Sequence, residues 1–343
     1  MKSYHIHLGA GIAGLMVKEH DIPVPGLHEV LVRVRACSLS FRELMILILG
    51  SYPLPVRPDV IPVSDGAGEV IAVGEAVRSA KVGDRVVGAV FPHWIDGPFA
   101  WESAAQLGGS LDGMLTEVAV LSEEALVHIP DHLSFEEAAT LPIAAVTAWN
   151  ALTGSRPLQA GNTVLTLGSG GVSLFALQIA KLFGARVIAT TSSEEKAQRL
   201  KALGADEVIN YRTTPDWYVA VRELTRGQGV DQVIEVGGPG TIVQSISATR
   251  YSGEIALIGS LARDTSMGET SALAVLRSAI AGVVTLRSIA AGSRAQFLAL
   301  NRALAMHRLR PVIDRVFPFG EAQAAYQYYR EVQPFGKVII SHS

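Results

Sequence analysis

Apolar positions along this chain fall into two textures. Up to about residue 130 they form short runs and alternating stretches broken by Gly and Pro. Glu29–Ala36 (EVLVRVRA) alternates apolar and polar residues as a half-buried strand does. Ala36–Gly50 predicts a turn entering a short helix, and Val60–Gly74 sets small residues ahead of a strand. Lys81–Phe91 (KVGDRVVGAVF) reads as a hairpin turning at Gly83-Asp84. This pattern predicts a mostly β, barrel-like first domain. Pro92–Met114 is irregular and carries Trp94 and Trp101, as lids and partner surfaces often do.

From Ser134 the period becomes helical, at Glu136–Leu141 and Ala144–Leu152. Thr163–Leu167 is then a buried apolar run with β-branched residues, followed at once by Gly168-Ser169-Gly170-Gly171-Val172-Ser173. Leu174–Phe183 recurs at helical spacing until Gly184, and Arg186–Thr191 is a second buried strand. Strand, glycine turn, helix and parallel strand make the unit whose helix N-terminus holds a pyrophosphate. Gly168 permits the tight turn, Gly170 lets backbone approach phosphate, and Ser173 is small enough for close helix–strand packing. A Rossmann domain that binds no dinucleotide, or a methyl donor instead, is the competing reading.

Further alternation supplies strands at Glu207–Asn210, Asp231–Glu235, Glu254–Gly259 and Thr285–Ala290, with a helix across Trp217–Thr225. Six strands with right-handed crossovers complete a doubly wound parallel sheet. The tail from about Gly292 carries a helix and ends in the strand Gly336–Ser341, predicted to return to the first domain. A second glycine motif, Gly9-Ala10-Gly11-Ile12-Ala13-Gly14, precedes Pro23 and Pro25, which leave no room for a helix. It reads as a connection between antiparallel strands.

Composition narrows the class. The chain has 343 residues, enough for about two domains, with 49% hydrophobic and 18% charged residues. Its net charge of −3 gives no bias toward nucleic acid or anionic membrane. Cys37 is the single cysteine, so no intrachain disulfide and no multi-cysteine zinc module is possible. No apolar run approaches a membrane span and MKSYHIHLG lacks a signal-peptide core, so a cytoplasmic protein is expected. The nine histidines are scattered without ligand spacing; His93, beside Trp94, reads as a solvated loop residue or a substrate contact.

The landmarks EVLVRVRA, DGAGEVIAVG, KVGDRVVG, LPIAAVTAWNAL, GSGGVSLFALQIAK, LGADEVINY and FGKVII occur in an order that resembles the medium-chain dehydrogenase/reductase superfamily. The chain is most similar to its zinc-free branch around NADPH:quinone oxidoreductases, over nearly its whole length. The resemblance implies an α/β chain with a β-rich GroES-like catalytic domain over 1–143. A doubly wound parallel Rossmann domain over 144–291 and a C-terminal return to the catalytic domain over 292–343 would follow.

Zinc-dependent members of that superfamily carry Cys-His after the first long strand, where this chain has Ser40-Phe41. Their Gly-His-Glu is replaced by Val63-Ser64-Asp65, and the third ligand position, near Ile143–Ala144, offers none. A catalytic zinc needs three protein ligands and an open position, so no metal is expected. Oxidising a simple alcohol relies on a Lewis acid to stabilise the alkoxide, whereas a conjugated carbonyl accepts hydride readily. Positioning and exclusion of water then carry the rate. The favoured activity is therefore reduction of a quinone, enone or other activated carbonyl.

An NAD-specific unit ends its second strand in Asp or Glu for the ribose 2′-OH; here Thr191 stands there, followed by Ser192 and, in the next turn, Lys196. Hydroxyls and a lysine suit a 2′-phosphate, and Tyr211 matches a tyrosine that joins this pocket in NADPH-dependent relatives. NADPH is favoured over NADH. Lys196 as a solvated helix residue and Tyr211 as a packing residue are the bland alternatives. Glu194 and Glu195 suit the first turn of the following helix.

By the same resemblance Gly168, Ser169, Gly170, Gly171 and Val172 would hold the pyrophosphate, and Thr147, Gly259, Ser260, Ile289 and Lys337 would border the cofactor. The catalytic candidates are Tyr52, Ser40 and Arg42. Tyr52 could hydrogen-bond the substrate carbonyl or cap the proline loop, and Ser40 could lie near the nicotinamide or serve as a helix cap. A double-bond reductase acting on 2-enoyl thioesters or alkenals is the alternative enzyme, and a non-catalytic NADPH-binding protein the alternative of another class. The expected partners are a small carbonyl or quinone substrate and a second copy of the chain, with no nucleic acid and no membrane. Thr285–Ala290 and Leu273–Val284 would form the dimer edge.

Overall fold

The computed structural model describes residues 1–50, 52–259 and 272–342. They divide into two compact units, Met1–Val146 with Ala291–Ser343, and Thr147–Ala290.

In the first unit, β1 (Lys2–Ile6) and β2 (Leu15–Glu19) pair antiparallel, with Ile6 opposite Leu15. Gly9 and Gly11, both at positive φ, turn the chain between them, so the early glycine motif is a strand connection. β3 (Glu29–Leu39) is the spine of the larger sheet and runs three residues past the alternation read from sequence. From Ala36 to Leu39 every residue is fully or almost fully buried, so polar alternation stops while the strand continues. α1 (Phe41–Leu49) follows and closes on Gly50, in the left-handed region with φ 60°.

β4 (Asp65–Val73) pairs with β3 along one edge. β5 (Arg85–Gly88) pairs with β4 and with β7 (Leu126–His128), while β6 (Val118–Ser122) takes part of the other edge of β3. The predicted hairpin is shorter than expected. Lys81–Asp84 forms a tight loop end, where the Asp84 carboxylate accepts from the Lys81 N–H at 2.9 Å, and strand begins only at Arg85. α2 (Phe135–Ala138) starts in a capping box of Ser134 and Glu137, and one π-helical turn at Leu141–Ala145 follows. Within Pro92–Met114, Trp94 is buried against Phe91 and Phe99, whereas Trp101 is exposed.

The second unit begins in α3 (Val146–Thr153) and then alternates strictly. β8 (Thr163–Leu167), α4 (Gly171–Leu182), β9 (Arg186–Thr191), α5 (Glu194–Ala202) and β10 (Glu207–Asn210) form the first half. α6 (Trp217–Leu224), β11 (Val230–Glu235), α7 (Ile242–Ala248), β12 (Thr249–Leu257), α8 (Ala272–Gly282) and β13 (Thr285–Ser288) form the second. Among the described residues these six strands lie parallel in the order β10-β9-β8-β11-β12-β13. The order reverses between β8 and β11, and such a switch point opens a crevice at the carboxyl ends of the strands.

The chain then rejoins the first unit through α9 (Arg294–His307), β14 (Ile313–Pro318), α10 (Ala322–Val332) and β15 (Lys337–Ser341). β15 pairs antiparallel with the end of β3 and parallel with β14. β14 and α10 are additions to the single helix read from sequence. Tyr326 of α10 is 1% exposed in the core of the first unit. Among the described residues no helix is long and apolar enough to cross a membrane.

Candidate active site

Gly168 turns at φ +73°, and neither there nor at Gly170 would an added Cβ meet any atom within 4 Å. Gly170 has an ordinary φ of −78°, so backbone conformation does not demand glycine at that position. What glycine leaves is open ground at the amino end of α4, which no side chain caps. The first N–H groups of a helix lack intrahelical acceptors, so this end suits an anion. Ser173, 2% exposed, donates its hydroxyl to the Leu167 carbonyl at 2.6 Å and ties α4 to β8. The Gly168 N–H donates to Thr190 Oγ1 at 3.2 Å, fixing the turn against β9.

At the end of β9, Thr191 is buried and its Oγ1 has no hydrogen-bond partner. An orphaned hydroxyl in such a place fits a bound group better than an empty one. The Tyr211 N–H donates to the Thr191 carbonyl at 3.0 Å, so Thr191 and Tyr211 are neighbours across β9 and β10. Ser192 follows Thr191, Ser193 caps α5 by accepting from the Lys196 N–H at 3.3 Å, and Lys196 is half-buried in its first turn. These residues form one corner, and together with the glycine turn they fit a dinucleotide. Thr147 is buried in α3, the Gly259 N–H reaches the Glu235 carbonyl at 3.3 Å, and the Ile289 N–H reaches the Leu257 carbonyl at 2.9 Å. Ser260 lies outside the described residues.

One group here was missed from sequence. Glu235 ends β11 with no exposure, and its carboxylate accepts from the Gly237 and Gly238 N–H groups at 2.7 and 2.9 Å and from Thr241 Oγ1 at 2.6 Å. The Ser245 hydroxyl also donates to it. It shapes the loop beside the switch point. A carboxylate two residues ahead of a glycine run was the available signal.

In the first unit the carboxyl end of β3, the start of β4 and β15 meet at a buried polar cluster. The Lys337 ammonium donates to Ser40 Oγ at 2.7 Å and pairs with Asp65 Oδ2 at 3.2 Å. Ser40 donates to the same Asp65 oxygen at 3.1 Å, and the Ser64 hydroxyl to the other at 3.4 Å. Burial pushes the Asp65 carboxyl up to about 6 against the pull of Lys337, with the Glu43 carboxylate adding to the rise. Burial also lowers the Lys337 ammonium, opposed by Asp65. Both groups are driven toward their neutral forms, as desolvation requires.

A second layer lies behind it. Arg42 is 8% exposed and reaches Glu43 at 2.9 Å, Gln106 Oε1 at 2.9 Å and the Leu107 carbonyl at 3.2 Å. Its guanidinium stands 5.2 Å from the centroid of the Tyr52 ring. Tyr52 lines a cavity of about 260 Å³ with Leu8, Pro53, Pro55 and Trp101. Glu43 also accepts from the Val63 N–H at 3.3 Å, and Val63 is held at φ 70°, a strained conformation for a β-branched residue.

Residues 26–131 match the alcohol dehydrogenase GroES-like domain, and residues 171–305 match the zinc-binding dehydrogenase domain. A zinc-type alcohol dehydrogenase-like protein of Schizosaccharomyces pombe is 43% identical over 338 residues, covering 96% of both chains. The chain belongs to the medium-chain dehydrogenase/reductase superfamily. A chloroplastic quinone oxidoreductase of Triphysaria versicolor is 33% identical, covering 97% of this chain and 95% of that one. The crystal structure of an NAD-dependent alcohol dehydrogenase superposes with a TM-score of 0.88 at 33% identity, covering 100% of both chains.

The name of the second matched domain implies zinc in this medium-chain dehydrogenase/reductase, and the residues do not fit it. Among the described residues no group of three or more His, Cys, Asp or Glu side chains could hold a metal ion. At the ligand positions stand the Ser40 and Ser64 hydroxyls, weak ligands for zinc, and the Lys337 ammonium lies against Ser40 and Asp65. The Cys37 thiol donates to the Met114 carbonyl at 2.8 Å, and burial pushes its pKa well up, away from the thiolate a metal needs.

Proposed function

We propose that this protein is an NADPH-dependent, zinc-independent oxidoreductase that reduces a quinone, an enone or another activated carbonyl. The observation that carries the reading is the open glycine turn at Gly168–Gly170 beside the hydroxyl-lined corner of Thr191, Ser192 and Tyr211, to which Lys196 adds a positive charge. The family's dependence on a nicotinamide dinucleotide and its quinone-reducing relatives support it.

A bound dihydronicotinamide supplies hydride. The chain's own part is to hold and orient. The backbone N–H groups of Gly171 and Val172, at the uncapped end of α4, would take the pyrophosphate, with Ser169 and Gly170 completing the cradle. The orphaned Thr191 hydroxyl, Ser192 and the Lys196 ammonium would take the 2′-phosphate, with Tyr211 covering that edge. No carboxylate stands at Thr191 to prefer a free 2′-hydroxyl. Thr147, Gly259 and Ile289 would border the nicotinamide.

Tyr52, in a cavity lined by proline and Trp101, suits a flat conjugated acceptor, and its hydroxyl would hydrogen-bond the carbonyl. Exposed Leu276, Ile280 and Val283, on and just after α8, adjoin the edge strand β13 and support a homodimer joined along that edge. The deciding experiment measures kcat/KM for NADPH and NADH with a panel of quinones, enals and aldehydes. Preference for NADPH with turnover of quinones or enones is expected. A clear preference for NADH, or turnover of simple aldehydes alone, overturns the reading.

A further inference from the structure

Reduction of a carbonyl leaves negative charge on its oxygen, and the first unit holds a buried cation with a donor to spare. Lys337 is 3% exposed, and an ammonium carries three N–H donors. Two are directed at Ser40 Oγ and Asp65 Oδ2; among the described residues the third has no acceptor. An unspent donor on a buried charge is costly and calls for a ligand oxygen.

Ser40 adds a second, independent sign. It occupies the N-cap position of α1, where serine ordinarily accepts from the first turn, yet its side chain makes no capping bond. Its hydroxyl is committed instead to Lys337 and Asp65, and at 7% exposure it is the least buried of the three. The groups facing this cluster are Glu43 of α1 with its partner Arg42, Cys37 of β3, and Tyr326 and Tyr329 of α10. Burial raises Cys37 and both tyrosines, so none of these three is a ready acid near neutral pH.

We propose that Ser40 and Lys337 form the oxygen-binding, proton-donating pair of the enzyme. This rests on the reductase reading above. As hydride reaches the carbonyl carbon, the π electron pair moves to oxygen. That oxygen takes the Ser40 proton as the hydroxyl turns from Asp65 Oδ2 to the substrate, and the serine oxygen takes one from the Lys337 ammonium. Neutral Lys337 beside ionised Asp65 then regains its proton from water. Asp65 is a positioning residue that holds both donors.

The test has two readouts. The first needs no turnover: p-nitrophenol is titrated with the cofactor-free protein, and its ionisation reports an oxygen site that favours the anion. Wild type should lower the pKa of the bound phenol by about one unit or more, and Ser40→Ala and Lys337→Met should abolish the shift. The second compares kcat at saturating NADPH with the Kd for NADPH. Ser40→Ala should lose about 10²-fold in kcat with the Kd unchanged. Ser40→Ala keeps the Lys337–Asp65 pair, so it gives an answer even where Lys337→Met fails to fold.

Unshifted p-nitrophenol, or full kcat in Ser40→Ala, overturns the proposal. A Lys337→Met variant that weakens NADPH binding but keeps kcat at saturation also overturns it, making the lysine a cofactor ligand. A wild type that shifts p-nitrophenol but oxidises no NADPH with any acceptor upholds the oxygen site and sinks the reductase reading alone.

Discussion

Lys337 and Asp65 stand 272 positions apart in the chain, and their charged atoms meet at 3.2 Å with side-chain exposures of 3% and 0%. A pair this deeply buried contributes little net stability against an apolar pair, but breaking it by halves is expensive. Asp65→Asn should cost about 3–5 kcal/mol in urea unfolding at neutral pH, because it strands the ammonium. Asp65→Leu combined with Lys337→Met should recover most of that loss. Equal destabilisation of the single and double variants would count against the pair.

His342 gives the fold a pH dependence of opposite sign from Asp65. Its ring lies 4.1 Å from that of Phe319, and burial lowers its pKa from 6.5 to about 4. Between those values the unfolded chain binds a proton that the native state refuses, so this group's contribution to stability rises with pH, by up to ~3 kcal/mol. Asp65, raised from 3.8 to about 6, holds its proton more tightly in the native state, so its contribution falls as pH rises through that range. Comparing wild type with His342→Phe at pH 4.5 and 7 isolates the histidine. The variant should lose less stability at the lower pH, and equal losses would mean that His342 titrates normally.

Gly170→Asp separates folding from cofactor binding. The backbone there, φ −78° and ψ 174°, accepts any residue, the space is open, and aspartate is a better helix N-cap than glycine. The melting temperature should hold or rise slightly. Dinucleotide affinity should fall about 100-fold or more, since the new carboxylate faces the phosphates. Retained affinity measured by fluorescence titration would remove the pyrophosphate from this turn.

Tyr52→Phe should lower kcat/KM by less than about tenfold with a quinone, because an activated carbonyl needs no strong acid from that side. A loss of several thousandfold would make Tyr52 the principal proton donor.

Much of the second unit is legible in the apolar runs of the chain. Thr163–Leu167 and Arg186–Thr191 are strands over the residues that the apolar runs marked, since a parallel strand buried on both faces needs an unbroken run. Glu207–Asn210, at the sheet edge, is a strand over the residues read from the β/α alternation. β14 was not legible, because Asp314 and Arg315 interrupt its apolar residues and only Phe317 is buried. α10 hid because its buried face rests on alanines and tyrosines rather than on an apolar stripe.

In the site, Thr191, Ser192 and Lys196 are read from the end of the second strand of the glycine unit, and Tyr211 from the resemblance to NADPH-dependent relatives. The partnership of Lys337 with Ser40 and Asp65 is not legible in this way, since β15 reaches β3 only through tertiary pairing. Nor is the positive φ of Val63, which no local residue preference announces.

The end of β3 also sets an order of events during synthesis. Its Ala36–Leu39 segment is paired on one side by β15, which leaves the ribosome only after the whole of Thr147–Ala290. Domains tend to fold as units while the chain is being made. The second unit can therefore close first, while the edge of β3 at Ala36–Leu39 waits unpaired for β15. A chain cut short before Lys337 would keep that edge open, so premature termination should yield aggregation rather than a weakly active enzyme.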